Sequence, residues 1–130
     1  MNRSYDNPNV MLTPETFNLK NLIGDIMKEG YIDRIGHDES KIAALFDIHQ
    51  HSGRKSIFMY APYYPLHSRK YLKIRILPKL LSERSEMFRY YSCKFKMERF
   101  KEGCARQALW NAFAIQNCYT IECSALGYYN

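Results

Sequence analysis

The chain has 130 residues, 46% of them hydrophobic and 15% aromatic, enough for one domain with a real core and inconsistent with disorder. No apolar run approaches the roughly 18 residues a membrane span needs, so a soluble chain with no membrane partner is expected. Nineteen Lys and Arg against thirteen Asp and Glu give a formal charge of +6, which favours an acidic partner without naming it. The start Met1-Asn2-Arg3-Ser4 carries neither a secretory nor an organellar leader pattern, which predicts a cytoplasmic protein. The four cysteines (Cys93, Cys104, Cys118, Cys123) form no Cys-x-x-Cys pair and none is near the histidines His49 and His51, so free thiols are expected rather than a zinc finger. No nucleic-acid fold signature accompanies the basic residues, and no nucleic-acid partner is expected.

Residues 1–12 are polar, with Asn7-Pro8-Asn9 marking an irregular segment. Thr13 then suits an N-cap and Pro14 a first helical position. Phe17, Leu19, Leu22, Ile23, Ile26 and Met27 continue a helical stripe until Gly30 offers a C-terminal cap. After a charged loop, residues 42–48 form a nearly continuous apolar run that predicts a strand buried on both faces. His49, Gln50, His51 and Ser52 are expected just past its carboxyl end, where open α/β sheets place ligands. Residues 56–60 predict a second strand and residues 70–85 a helix, with Pro78 as a kink or a true start. The remaining expectations are a strand over 88–95, a helix over 105–113 and a strand over 117–123.

Taken alone, His49 and His51 fit either a metal or acid–base site or two histidines capping a strand and bonded to backbone. Glu122 is more telling. It stands in an otherwise uncharged strand-like run, where an ionised group is costly unless paired or functional, although a surface Glu on an edge strand is the plainer alternative.

The stretch from Phe46 to Tyr60, which contains Asp47-Ile48-His49-Gln50-His51-Ser52 and ends Phe58-Met59-Tyr60, closely resembles the signature of the cytosolic, deglutamylating zinc carboxypeptidases, Asp-x-His-Gly-His-Ser followed by basic residues and Phe-Met-Tyr. Three further blocks resemble that family in the same order. They are Ile76 to Ser82, the Glu102-Gly103-Cys104-Ala105-Arg106 segment, and Tyr119-Thr120-Ile121-Glu122. The resemblance covers roughly residues 40–127.

It implies an α/β fold, a partial mixed β-sheet flanked by helices within one incomplete catalytic domain over residues 1–130. It further implies His49 as a zinc ligand, Glu122 as the general base, and His51 as a residue shaping the pocket behind the metal. Asn2 and Arg3 resemble the end of the family's motif for gripping a substrate's terminal carboxylate. Lys101 and Arg106 are then candidates for the side-chain carboxylates of glutamates. The implied partners are acidic C-terminal tails, such as that of polyglutamylated tubulin.

The family's other two zinc ligands come as His-x-x-Glu, and none of the four histidines is followed three places on by Glu. The zinc site is therefore expected to be incomplete in this chain and the chain inactive alone, reading as the C-terminal half of the catalytic domain. The alternative is a catalytically dead basic module that binds acidic peptide tails.

Overall fold

A computed structural model describes residues 3–28, 41–96 and 103–127. The elements in order are α1 (Pro14–Lys28), β1 (Leu45–His51), β2 (Phe58–Tyr60), α2 (Arg69–Arg84), α3 (Ala105–Phe113) and β3 (Cys118–Ser124). The three strands form one mixed sheet in the order β1-β3-β2, with β3 parallel to β1 and antiparallel to β2. Helices lie on both sides, as the α/β expectation requires.

Helix α1 begins where the Thr13-Pro14 pair predicts. The Thr13 carbonyl takes the first helical bond, from Phe17 N at 3.0 Å, while its hydroxyl turns back to the Asn9 carbonyl. Its expected apolar stripe is buried only in part, at Ile23 and Met27. Thr16 and Ile23 are buried, whereas Leu19, Leu22 and Ile26 are exposed, because the helix meets the body of the protein along the side that faces α3. Gly30, expected as its cap, lies outside the described residues.

Strand β1 runs from Leu45 to His51, so His49 and His51 sit inside the strand and not beyond its end. The apolar signal stops at Ile48, but pairing continues to His51↔Ser124 because β3 keeps supplying backbone partners. Its predicted two-sided burial also fails. Phe46 stacks on the Tyr119 ring yet is 46% exposed, and Ile48 is 70% exposed.

Residues 88–95 do not form the expected strand. They touch the sheet by single bridges at Ile57↔Phe88 and Tyr60↔Lys94, separated by a 3-10 turn over Tyr90–Ser92. The Met59 N–H that a continuous strand would engage is bonded instead to Cys93 Sγ, at 3.3 Å.

Pro78 is neither a start nor an end: it is buried within α2, which is capped at its N-terminus by Ser68 Oγ accepting from Lys70 N. A mid-helix proline cannot donate to the carbonyl four residues back. That carbonyl, of Ile74, accepts from the Tyr119 hydroxyl at 3.0 Å, so the lost helical bond is replaced from β3.

Two apolar clusters hold the sheet. On one side Met59, Ala61, Ile74, Phe88 and Tyr119 pack under α2; on the other Ile23, Ala105, Leu109, Ile115 and Cys118 pack under α3 and α1. Trp110 touches both, and its Nε1 donates to the Tyr64 hydroxyl at 2.7 Å. Each fully buried aliphatic side chain contributes about 1.5–3 kcal/mol.

Candidate active site

The register of the three strands builds the site. His49 on β1 is the partner of Glu122 on β3, and Glu122 is in turn the partner of Phe58 on β2. One step down the sheet, Asp47, Thr120 and Tyr60 form the next row. Alternate residues of a strand share a face, so both rows lie on the same side. Glu122 is thus on the central strand, not an edge one, at the point where burial of β3 relaxes from buried to partly open.

Asp47 and His49 are two residues apart on β1, and Asp47 Oδ1 lies 2.7 Å from His49 Nε2. Facing a carboxylate, Nε2 is the ring nitrogen suited to donate in this contact. This is the arrangement in which a carboxylate orients a metal-binding imidazole. The other Asp47 oxygen, Oδ2, is buried with no hydrogen-bond partner among the described residues. The sequence signal for this contact is the Asp-x-His spacing, which places both side chains on one strand face.

His51 bonds through Nε2 to the Ser56 carbonyl at 3.0 Å, and its ring lies 4.9 Å from that of Phe58. It therefore ties together the two ends of the β1–β2 connection. Arg106, on the first turn of α3, is only 3% exposed. It donates from a guanidinium nitrogen to Thr120 Oγ1 at 3.2 Å, and its Cζ stands 5.5 Å from the centre of the Tyr60 ring. Arg106 thus reaches the same face as Glu122, one row below it.

Arg3 is exposed, and its backbone passes directly over Gly103, where a Cβ would overlap the Arg3 carbonyl oxygen. Tyr5 N donates to the Gly103 carbonyl at 3.0 Å, so the N-terminal segment is fastened three residues before Arg106. Asn2 and Lys101 lie outside the described residues.

A cavity of about 250 Å³ opens beside Glu122, with Arg54, Phe58, Tyr60 and Lys94 in its walls. Lys94 comes from the 88–95 segment and reaches the site because that segment bridges to β2 at Tyr60. No local sequence signal marks it.

Among the described residues, no three His, Cys, Asp or Glu side chains are grouped to hold a metal ion. His49 with Asp47 behind it fits one ligand of a catalytic zinc, which needs three protein ligands and an open position. The donor set of the described residues does not fit a whole site.

No family model matches the chain. It is 30% identical over 139 residues to cytosolic carboxypeptidase 1 of Danio rerio, covering 98% of this chain and 11% of that protein. Cytosolic carboxypeptidase 2 of Xenopus tropicalis is 36% identical over 85 residues, covering 65% of this chain and 9% of the relative. Among solved structures, a metallo-carboxypeptidase from Burkholderia cenocepacia matches with a TM-score of 0.69 at 16% identity, over 95% of this chain and 28% of its own. The chain therefore spans about a tenth of the length of the curated relatives it matches, and its fold is that of a part of a metallo-carboxypeptidase. Among the described residues, no helix is long and apolar enough to cross a membrane. With sequence likeness running through nearly the whole chain and the fold agreeing, the chain belongs to the cytosolic carboxypeptidase family.

Proposed function

We propose that this chain supplies one side of the active site of a cytoplasmic zinc carboxypeptidase that removes C-terminal glutamates from acidic protein tails such as that of polyglutamylated tubulin. The observation that carries this reading is the pairing of His49 with Glu122 across adjacent strands, with Asp47 on His49 Nε2. Zinc, when bound, would supply a Lewis acid for the scissile carbonyl. His49 would give it one ligand, and the other ligands would come from outside the described residues.

Glu122 is the group for proton handling. A carboxylate within reach of the attacking water takes its proton and then delivers it to the leaving amine. Its position at the open end of a buried strand gives it access to solvent while its backbone stays fixed by strands on both sides. Asn2 and Arg3 would grip the terminal carboxylate of the substrate, and Lys101 and Arg106 its glutamate side chains. For Arg106 the setting supports a fixed charge more than a mobile clamp, since Thr120 and the Tyr60 ring already hold its guanidinium.

The test is release of glutamate from a peptide ending in glutamates by the full product of the native transcript. Glu122→Gln should lower the rate by about 10²-fold or more, and an unchanged rate would sink the reading.

A second reading, a module that binds acidic tails without cleaving them, is favoured by the incomplete donor set among the described residues. Zinc content separates the two. A full product that holds no zinc at stoichiometric levels, yet binds glutamate peptides, supports the second.

A further inference from the structure

We infer that the outward face of α2 is a docking surface for an acidic amphipathic helix of a partner protein. The inference goes beyond the peptidase reading and uses none of its residues. Helix α2 packs over Tyr119, whereas Cys118 lies in the cluster under α3, so alternation along β3 puts Glu122 on the face of the sheet away from α2.

The core side of α2 accounts for Ile74, Leu77, Pro78 and Leu81, which are buried or packed against the cluster around Tyr119. Three aliphatic residues of the helix are left over. Leu72, Ile76 and Leu80 are 67%, 53% and 50% exposed and follow one another at four-residue spacing along the opposite side. Such a row forms a ridge of the kind that packs into the groove between the ridges of a second helix. Pro78 leaves the ridge unbroken, because the proline is on the buried side.

Charge decides what kind of helix fits. Helix α2 carries six Lys and Arg against one carboxylate, Glu83. At about 100° per residue, Lys73 and Arg84 flank the ridge on one side and Lys79 on the other. Lys79 holds Glu83 at 3.1 Å, while Lys73 and Arg84 have no ion-pair partner among the described residues.

A second copy of α2 laid on the first would set like charges against each other. An anionic bilayer answers the charge but not the shape, since a membrane-surface helix sinks a broad apolar face and this ridge runs in single file. A helix with an apolar ridge of its own, flanked by Asp and Glu, answers both.

The experiment is fluorescence anisotropy of a fluorescein-labelled peptide titrated with the full chain at low salt. The peptide is about 20 residues long, because shorter helices are marginal alone, with leucines on one face and glutamates on both flanks. Ile76→Gln and Leu80→Gln should each weaken binding about 3- to 10-fold. Lys73→Glu should weaken it by a similar factor at low salt and by less at high salt. Leu22→Gln, an equally exposed leucine on α1, should change it by less than about 2-fold. The ridge side chains are exposed and Gln is a good helix former, so an unchanged thermal midpoint for each variant shows that the fold persists.

Ridge variants that bind like the parent chain overturn the inference. So does a peptide with its leucines exchanged for serine that binds as tightly, because charge alone then explains the contact. Phosphatidylserine vesicles that capture the chain through the same ridge residues, when the peptide does not, would assign the face to a membrane instead. Binding by this chain with none by the full product of the native transcript would assign the ridge to a segment of that product and overturn the partner.

Discussion

Strands β1 and β3 are both seven residues long and lie side by side in parallel register, yet they are built for different tasks. Burial in β3 runs as a gradient, with Cys118, Tyr119 and Thr120 sealed and Ile121 to Ser124 partly open. Burial in β1 alternates from end to end, with Asp47, His49 and His51 partly covered and Phe46, Ile48 and Gln50 exposed. A central strand anchored at one end delivers a reactive group at the other, whereas an edge strand offers one face to the site and leaves the opposite face for a neighbour. The register then sets His49 of β1 beside Glu122 of β3, with Asp47 one row below on the same face.

The largest expected effect tests that contrast on a single register pair. Tyr119 and Phe46 are partners whose rings stack at 5.8 Å, but Tyr119 is fully buried and Phe46 nearly half exposed. Tyr119→Ala should cost about 3–5 kcal/mol, and Phe46→Ala less than about 1.5 kcal/mol, read as shifts in urea midpoint. Equal costs would show that the two strands are not anchored differently.

Proton linkage gives a second, intermediate test. Burial pushes the thiol of Cys118, at the sealed end of β3, up to about 12, and that of Cys93 up to about 11. Both groups are neutral in the folded chain, and in the unfolded chain they ionise near the ordinary thiol value of about 8.5. Their contribution is therefore fully present below about pH 8 and is lost as pH rises through the folded-state values. A denaturation midpoint that holds from pH 7 to 8 and falls progressively above pH 9 is expected. Alkylation at pH 8 should reach partly exposed Cys123, at the open end of β3, before Cys118.

The smallest effect concerns the chain's approach to β3. Ala114 ends α3 with φ 52°, in the left-handed region, and its N–H bonds the Trp110 carbonyl. Glycine takes this conformation without the Cβ penalty, so Ala114→Gly should stabilise by about 0.5–1 kcal/mol, measured by thermal melting. A loss of stability would mean that the turn feeding β3 is held by something other than backbone conformation.

Much of this was legible in the residues. The bounds of α3 and the existence of α1, β1, β2 and β3 follow from apolar periodicity and the Thr13-Pro14 start. Of the two residues that pair in the candidate site, Glu122 stands out by chemistry and His49 by its place in the family-like signature. The illegible parts share a cause: they depend on partners distant in sequence. The end of β1 is set by Ser124 on β3, the buried side of α1 by α3, and the failure of 88–95 to form a strand by a thiol that takes the Met59 N–H. Lys94 likewise enters the cavity wall only because its backbone bridges to Tyr60.

Pro78 carries a consequence for how the sequence can drift. The helix lacks a donor at that residue, and a phenol from β3 supplies it to the Ile74 carbonyl. The two positions are therefore epistatic. In the present chain, Tyr119→Phe strands a buried acceptor, at about 1–3 kcal/mol. In a chain that has first exchanged the proline for alanine, the helix serves its own carbonyl and the same loss becomes nearly silent. Across relatives, the hydroxyl at 119 should be inherited together with the proline at 78, although 41 positions separate them.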